Sequence, residues 1–114
     1  MKLKTGIDIV SVKRFRDLKY SENSDFYQRN FDVVEIKYCL SFKDPYPHFA
    51  GKFAAKEAIK KTLDEPINFL EIHTRHGENG EPNIECPISE KFEIQVSISH
   101  EKDYAVAVAI LIKT

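Results

Sequence analysis

Residues 104–112, YAVAVAILI, alternate between two kinds of apolar side chain. In an extended strand Tyr104, Val106, Val108, Ile110 and Ile112 fall on one side, and Ala105, Ala107, Ala109 and Leu111 on the other. A strand that is apolar on both faces is expected to be covered on both. The alanine side is small enough to let a helix lie close. The branched side needs either more core or another subunit.

The segment HFAGKFAAKEAIKKTL, residues 48–63, is the helix that suits the alanine side, with Pro66 marking its end. At about 100° per residue, Phe49, Ala50, Phe53 and Ala54 form an apolar, small-residue face. Glu57 falls in the middle of it, away from the stripe of Lys52, Lys56 and Lys60. Two readings stand side by side. Glu57 makes an exposed i,i+4 pair with Lys61, or it points at a packed sheet and is compensated by a cation or metal.

Asp8 raises the same question. The strand over 3–10 places Leu3, Ile7 and Ile9 on one face, and Lys4, Gly6, Asp8 and Val10 on the other. Gly6 opens that second face to close approach. Asp8 either caps the helix that follows or is a ligand. Two carboxylates from separate elements, completed by water and phosphate oxygens, suit Mg²⁺. Lys56 and Lys61 beside them suit a phosphate as point charges.

The rest of the chain sets the frame. Short helices are expected over 12–20, with Ser11 as cap, and over 25–30 and 33–40, the last started by Asp32. DPYP at 44–47 is a break. NFLEIHTR and PNIEC flank a hairpin turn at Asn79-Gly80. Strands 93–100 and 104–112 close the chain. The fold class expected is α+β: one domain of 114 residues with a long helix on an antiparallel sheet. A net charge of −1 gives no global field for nucleic acid or an anionic membrane. Cys39 and Cys86 stand far apart, with no zinc or disulfide pattern, which fits a reduced, cytoplasmic setting. Asp8 interrupts the N-terminal apolar run, so no signal peptide is expected, and no run reaches the length of a membrane span.

Three stretches make the chain recognisable. GIDIVSVKR (6–14), FAGKFAAKEAIKK (49–61) and SISHEKDYAVAVAI (97–110) resemble, in order and spacing, the motifs of the holo-acyl-carrier-protein synthases. These are the small bacterial class of 4′-phosphopantetheinyl transferases. The resemblance implies that Asp8 and Glu57 bind Mg²⁺ across the diphosphate of coenzyme A. It implies that Lys61, with Lys56 and His100, contacts phosphates. Arg14, supported by Lys13 and Arg16, would meet an acidic helix of an acyl carrier protein. Read without the resemblance, Arg14 is a solvated helix charge and His100 a strand-end histidine satisfied by its turn. A serine of the carrier would take up phosphopantetheine and 3′,5′-ADP would leave, with the serine proton passing to Glu57 or to a water. Family members are trimers with sites at subunit boundaries, so a homotrimer is expected.

One departure stands out. Where the family carries a loop of the type A-x-G-T-G, this chain reads KKTLDEPINFLEI. Glycine amides cradle phosphate, whereas Asp64 and Glu65 would repel it. A binding module that has kept the fold and lost turnover is the alternative this loop raises.

Overall fold

The computed structural model describes residues 2–87 and 91–113. Its elements in chain order are β1 (Lys2–Ser11), α1 (Val12–Arg16), α2 (Ser24–Asn30), α3 (Val33–Leu40), α4 (Tyr46–Thr62), β2 (His73–His76), β3 (Pro82–Glu85), β4 (Phe92–His100) and β5 (Tyr104–Lys113). Single 3₁₀ turns occur at Tyr20–Glu22 and Phe69–Glu71. β1, β5 and β4 form an antiparallel sheet in that order, and β2 and β3 form a separate two-stranded ribbon. The fold is α+β, with α4 lying on the sheet.

The register puts the small residues where the helix needs them. Gly6 pairs with Ala109 and Asp8 with Ala107, which in turn face Val96 and Ile98 of β4. A Cβ on Gly6 would sit 2.0 Å from the Ala58 carbonyl oxygen of α4, so the backbones touch only because residue 6 has no side chain. At the other edge Gly51 of α4 lies against Ile98 and His100. The helix therefore runs diagonally across the sheet, from β4 at its start to β1 at its end.

Capping explains two of the boundaries. Asp32 and Glu35 make a reciprocal capping box at the start of α3, as the sequence suggests. Pro45 and Pro47 sit at the start of α4, where a missing N–H removes no helical bond. Two expectations are corrected. The helix over 12–20 stops at Arg16, because Leu18 and Tyr20 turn into the core. The buried Tyr27 hydroxyl donates to the Leu18 carbonyl at 2.6 Å, and Tyr20 packs on Tyr27 and Phe49. NFLE is not strand: Asn68 and Glu71 form a second capping box around a 3₁₀ turn.

The two faces of the sheet differ. Ala105, Ala107, Ala109 and Leu111 are buried under α4. The opposite face is open within one chain, so of the two expected covers more core is not the one it meets. Leu3, Ile7 and Ile9 are 59%, 62% and 67% exposed, beside exposed Tyr104, Val108 and Ile110. Among the described residues no helix is long and apolar enough to cross a membrane.

Candidate active site

From Phe49 to Ile59 every residue of α4 is buried except Glu57. The helix is central, covered by the sheet on one side and by α1, α3 and β2 on the others, and within that span Glu57 is the one opening. Among the described residues its carboxylate makes no hydrogen bond or ion pair. The expected i,i+4 pair with Lys61 does not form. The Lys61 ammonium instead crosses the gap left by Gly6, donating to the Ile7 carbonyl at 2.7 Å and to Asp8 Oδ1 at 3.3 Å. Asp8 and Lys61 thus meet at the β1 edge, where α4 meets the strand, and Glu57 lies one helical turn before Lys61.

The donor chemistry fits a hard divalent cation. Both groups are carboxylates, with no thiol or imidazole of the described residues joining them in a cluster of three or more metal-binding side chains. A cation held by two carboxylates keeps most of its coordination for water and substrate oxygens. Lys61 stands beside Asp8 as a second positive charge, half-exposed and within reach of a ligand.

Lys56 is a correction. Its side chain is fully buried, and its three donors are used: Glu35 Oε1 at 2.7 Å, the Asn30 carbonyl at 2.8 Å and the Phe69 carbonyl at 3.0 Å. The other Glu35 oxygen accepts from the Thr74 amide and hydroxyl. Burial lowers the Lys56 pKa, and Glu35 opposes that fall. An ammonium so enclosed has no donor left for a phosphate. The stripe of lysines read from the helical wheel is therefore not a solvated face, because Lys52 and Lys56 both turn inward to partners on other elements.

His100 lies at the opposite edge of the sheet from Asp8. Both occupy the face that α4 covers, with β5 and the helix between them. Around His100 is a cavity of about 160 Å³ lined by Tyr38, His48, Lys52, His76 and Ile98. The buried Lys52 ammonium donates to Thr74 Oγ1 at 3.0 Å and meets His76 Nε2 at 2.8 Å, over the Tyr38 ring. Burial lowers the pKa of Lys52, His48 and His76, and their neighbouring cations add to it. Sequence reasoning passed over Lys52, His48 and His76. Their signal was spacing: His48 and Lys52 are i,i+4 on a helix, and Thr74 and His76 are i,i+2 on a strand.

Of the three basic residues of α1, only Arg14 opens towards Glu57. Its guanidinium lies 5.0 Å over the Phe53 ring and lines a groove of about 410 Å³ with Phe26, Arg29, Glu57, Lys60 and Phe69. Lys13 pairs with Asp17, which caps the end of α1, and both side chains are exposed. Arg16 is tied to Asp44 at 2.7 Å and to the Lys102 carbonyl at 3.2 Å, which pins α1 to two loops. In the loop after α4, Asp64 pairs with Lys4 of β1, and Lys113 and Lys2 lie near enough to lower its pKa further. The repulsion expected from Asp64 is thus blunted by three lysines.

Comparisons with known proteins agree with this architecture. The model of the 4′-phosphopantetheinyl transferase superfamily matches residues 4–109. A holo-[acyl-carrier-protein] synthase from Thermodesulfovibrio yellowstonii is 37% identical, over 93% of this chain and 95% of its own. The crystal structure of a holo-(acyl-carrier-protein) synthase from Bacillus anthracis in complex with CoA (3′,5′-ADP) superposes with a TM-score of 0.84 at 29% identity, covering 96% of each chain. The Helicobacter pylori holo-[acyl-carrier-protein] synthase in complex with coenzyme A gives 0.83 at 31% identity, covering 95% of this chain and 99% of its own.

Proposed function

The chain belongs to the 4′-phosphopantetheinyl transferase superfamily, and we propose that it transfers 4′-phosphopantetheine from coenzyme A to a serine of an apo acyl carrier protein. The observation that carries this is the meeting of Asp8 and Lys61 over the Gly6–Ala58 contact, with Glu57 one turn earlier on α4 opening on the groove that holds Arg14.

Asp8 and Glu57 hold Mg²⁺, which when bound neutralises charge on the diphosphate. Lys61 adds a fixed positive charge on the same edge, held in place by the Ile7 carbonyl. The carrier serine attacks the phosphorus that bears pantetheine, the bond to the second phosphate breaks, and 3′,5′-ADP leaves. The serine proton has an acceptor in the Glu57 carboxylate, which opens on the groove. No nucleophile of the protein's own is needed, so positioning supplies most of the rate. Arg14 meets the acidic carrier.

The protein acts as a homotrimer in the cytoplasm. The open apolar face of β1 and β5 supports the assembly, since an exposed patch of this kind marks an interface. The separation of His100 from Asp8 supports a site shared between chains, with the metal ligands of one protomer facing the histidine cavity of its neighbour. A light-scattering mass equal to one chain at micromolar concentration would refute the trimer.

The decisive test is mass spectrometry of an apo carrier protein incubated with the protein, coenzyme A and Mg²⁺. The carrier is expected to gain one phosphopantetheine mass, and an unchanged carrier mass overturns the transferase in favour of a binding module. Asp8→Ala and Glu57→Gln should each abolish the gain while leaving the melting temperature within a few degrees of wild type, since neither removes a core contact. Full activity of Glu57→Gln with unchanged Mg²⁺ dependence would remove Glu57 from the ligand set.

A further inference from the structure

Gly6 lies midway between two charges on its face of β1, Lys4 and Asp8. Each finds an opposite charge at the end of α4. Asp8 accepts from Lys61, in the last turn of the helix, at 3.3 Å. Lys4 donates to Asp64, two residues past the helix end. The two pairs thus have opposite polarity and flank the Gly6–Ala58 contact along the strand. Lys61 is itself part of that contact, since a Cβ on Gly6 would lie 3.1 Å from Lys61 Cβ. A contact between backbones does not fix how far α4 slides along β1. The charges do, because a slip that carried Lys61 towards Lys4 would set like charges together.

Asp64 is out of place by local rules. A carboxylate just past a helix C-terminus meets the negative end of the helix dipole, where cations are favoured. The chain leaves α4 extended at Leu63, without the glycine that ends many helices. The Asp64 carboxyl is nonetheless held below the ordinary carboxylate range, first by the hydrogen bond and charge of Lys4, then by Lys113 and Lys2. Glu65, next in the chain, makes no ion pair among the described residues. One acid of this loop is therefore anchored across 60 positions to β1, and its neighbour is not.

We infer that Lys4 and Asp64 are positioning residues: their pair ties the exit of α4 to β1 and so holds the last turn of the helix, with Lys61 on it, at Asp8. The inference rests on the reading that Lys61 meets the diphosphate of coenzyme A. A half-exposed lysine loses rotamer freedom when it binds an anion, and a helix end held in place lowers that cost. The loop that departs from the family's glycine pattern thus does its holding with a side chain. The sign of the effect follows. Removing the Asp64 charge weakens coenzyme A binding, whereas an acid that only repelled phosphate would tighten it when removed.

The test is calorimetric titration of the intact protein with coenzyme A and Mg²⁺, with no carrier present. Asp64→Ala and Lys4→Met should each raise the coenzyme A Kd about two- to fivefold, the range that an exposed ion pair can bias. The double variant should be no weaker than either single one. Lys4→Arg keeps the pair and should bind like wild type, and Glu65→Gln should change the Kd by less than about twofold, as an unpaired surface charge does. In the transfer assay the carrier KM of Asp64→Ala should stay at the wild-type value. Lys61→Met should weaken binding by itself, and adding Asp64→Ala to it should have no further effect, because the pair acts through Lys61. A loss of the same size with and without Lys61 would overturn the inference, and so would an unchanged or tighter Kd in Asp64→Ala; both leave Lys61 at the phosphates. If Lys61→Met binds coenzyme A as wild type does, the reading of Lys61 as a phosphate contact falls, and the inference with it.

Discussion

Lys56 and Glu57 are neighbours on one helix and have opposite fates. Lys56 is sealed inside, with Glu35, Asn30 and Phe69 around its ammonium and Thr74 holding Glu35 from the far side. Glu57 has none of this and opens on the groove beside Arg14. The buried pair joins α3, α4, β2 and the 3₁₀ turn at Phe69–Glu71, and so fixes how α4 is rotated about its axis. That rotation decides where Glu57 points. One charge is used as structure so that the next can be presented to solvent.

The comparison predicts its largest effect at Lys56. Lys56→Ala leaves Glu35 buried and uncompensated, which should cost about 3–5 kcal/mol. Glu57→Ala should change stability by less than about 0.5 kcal/mol, as for a surface position. Urea denaturation of both variants checks this. Equal midpoints would show that the pair does not hold the helix, and the contrast between the two residues would fail.

The next effect is at the contact under Glu57. Gly6→Ala puts a methyl group 2.0 Å from the Ala58 carbonyl oxygen, a backbone atom that cannot swing away. Overpacking of this kind costs about 1–3 kcal/mol. It should also lift α4 from β1 and part Lys61 from Asp8. A thermal melt and a transfer assay on Gly6→Ala are expected to fall together. A wild-type melt with lost transfer would sharpen the comparison, by showing that the site is more sensitive to this spacing than the fold is.

Much of this was legible in sequence because it is local. The alternation of residues 104–112 gave the buried alanine face, Asp32 marked the start of α3, and Gly6 marked the close approach. Asp8, Glu57 and Lys61 could be singled out because carboxylates and glycine stand out against apolar neighbours. What escaped was set by distant partners. Helical angle cannot say that Lys56 finds Glu35 across 21 positions, or that Lys52 finds Thr74 across 22. The histidine cavity escaped for the same reason, being assembled from α4, β2 and β4. The open apolar face of the sheet looks like core in sequence and becomes surface only when a single chain is folded.

A smaller effect lies at the rim of the buried hub. Asp32 caps α3. Burial alone would raise its pKa, but hydrogen bonds from His73, the Glu35 amide and Arg75 outweigh this and lower it to about 2. A depressed carboxylate stabilises the fold above its unfolded pKa, and that stability is lost as pH falls towards the folded value. Wild type should therefore lose about 1–2 kcal/mol between about pH 4 and pH 2 through this residue. In Asp32→Asn that share of the acid sensitivity should vanish, and an identical acid melt would remove Asp32 from the hub.

The smallest effect is expected at Arg14, and it tests the solvent side of the comparison. The guanidinium lies over Phe53 at the mouth of the groove that Glu57 lines. Stacking there contributes about 0.5–1 kcal/mol, so Arg14→Glu should melt only slightly below wild type. If Arg14 meets an acidic carrier protein, reversing its charge replaces attraction with repulsion at the rim. Rim charges act on encounter and orientation, so the carrier KM should rise about three- to tenfold while the coenzyme A KM stays within twofold. Salt should mimic part of the change in wild type, because exposed pairs are screened beyond a Debye length of about 8 Å at physiological ionic strength. Lys13 and Arg16 supply the control. Each already has an acidic partner on its own chain, Asp17 and Asp44, so Lys13→Gln and Arg16→Gln should raise the carrier KM less than Arg14→Gln does. An unchanged carrier KM in Arg14→Glu would remove the docking role, and a raised coenzyme A KM would move Arg14 to the coenzyme.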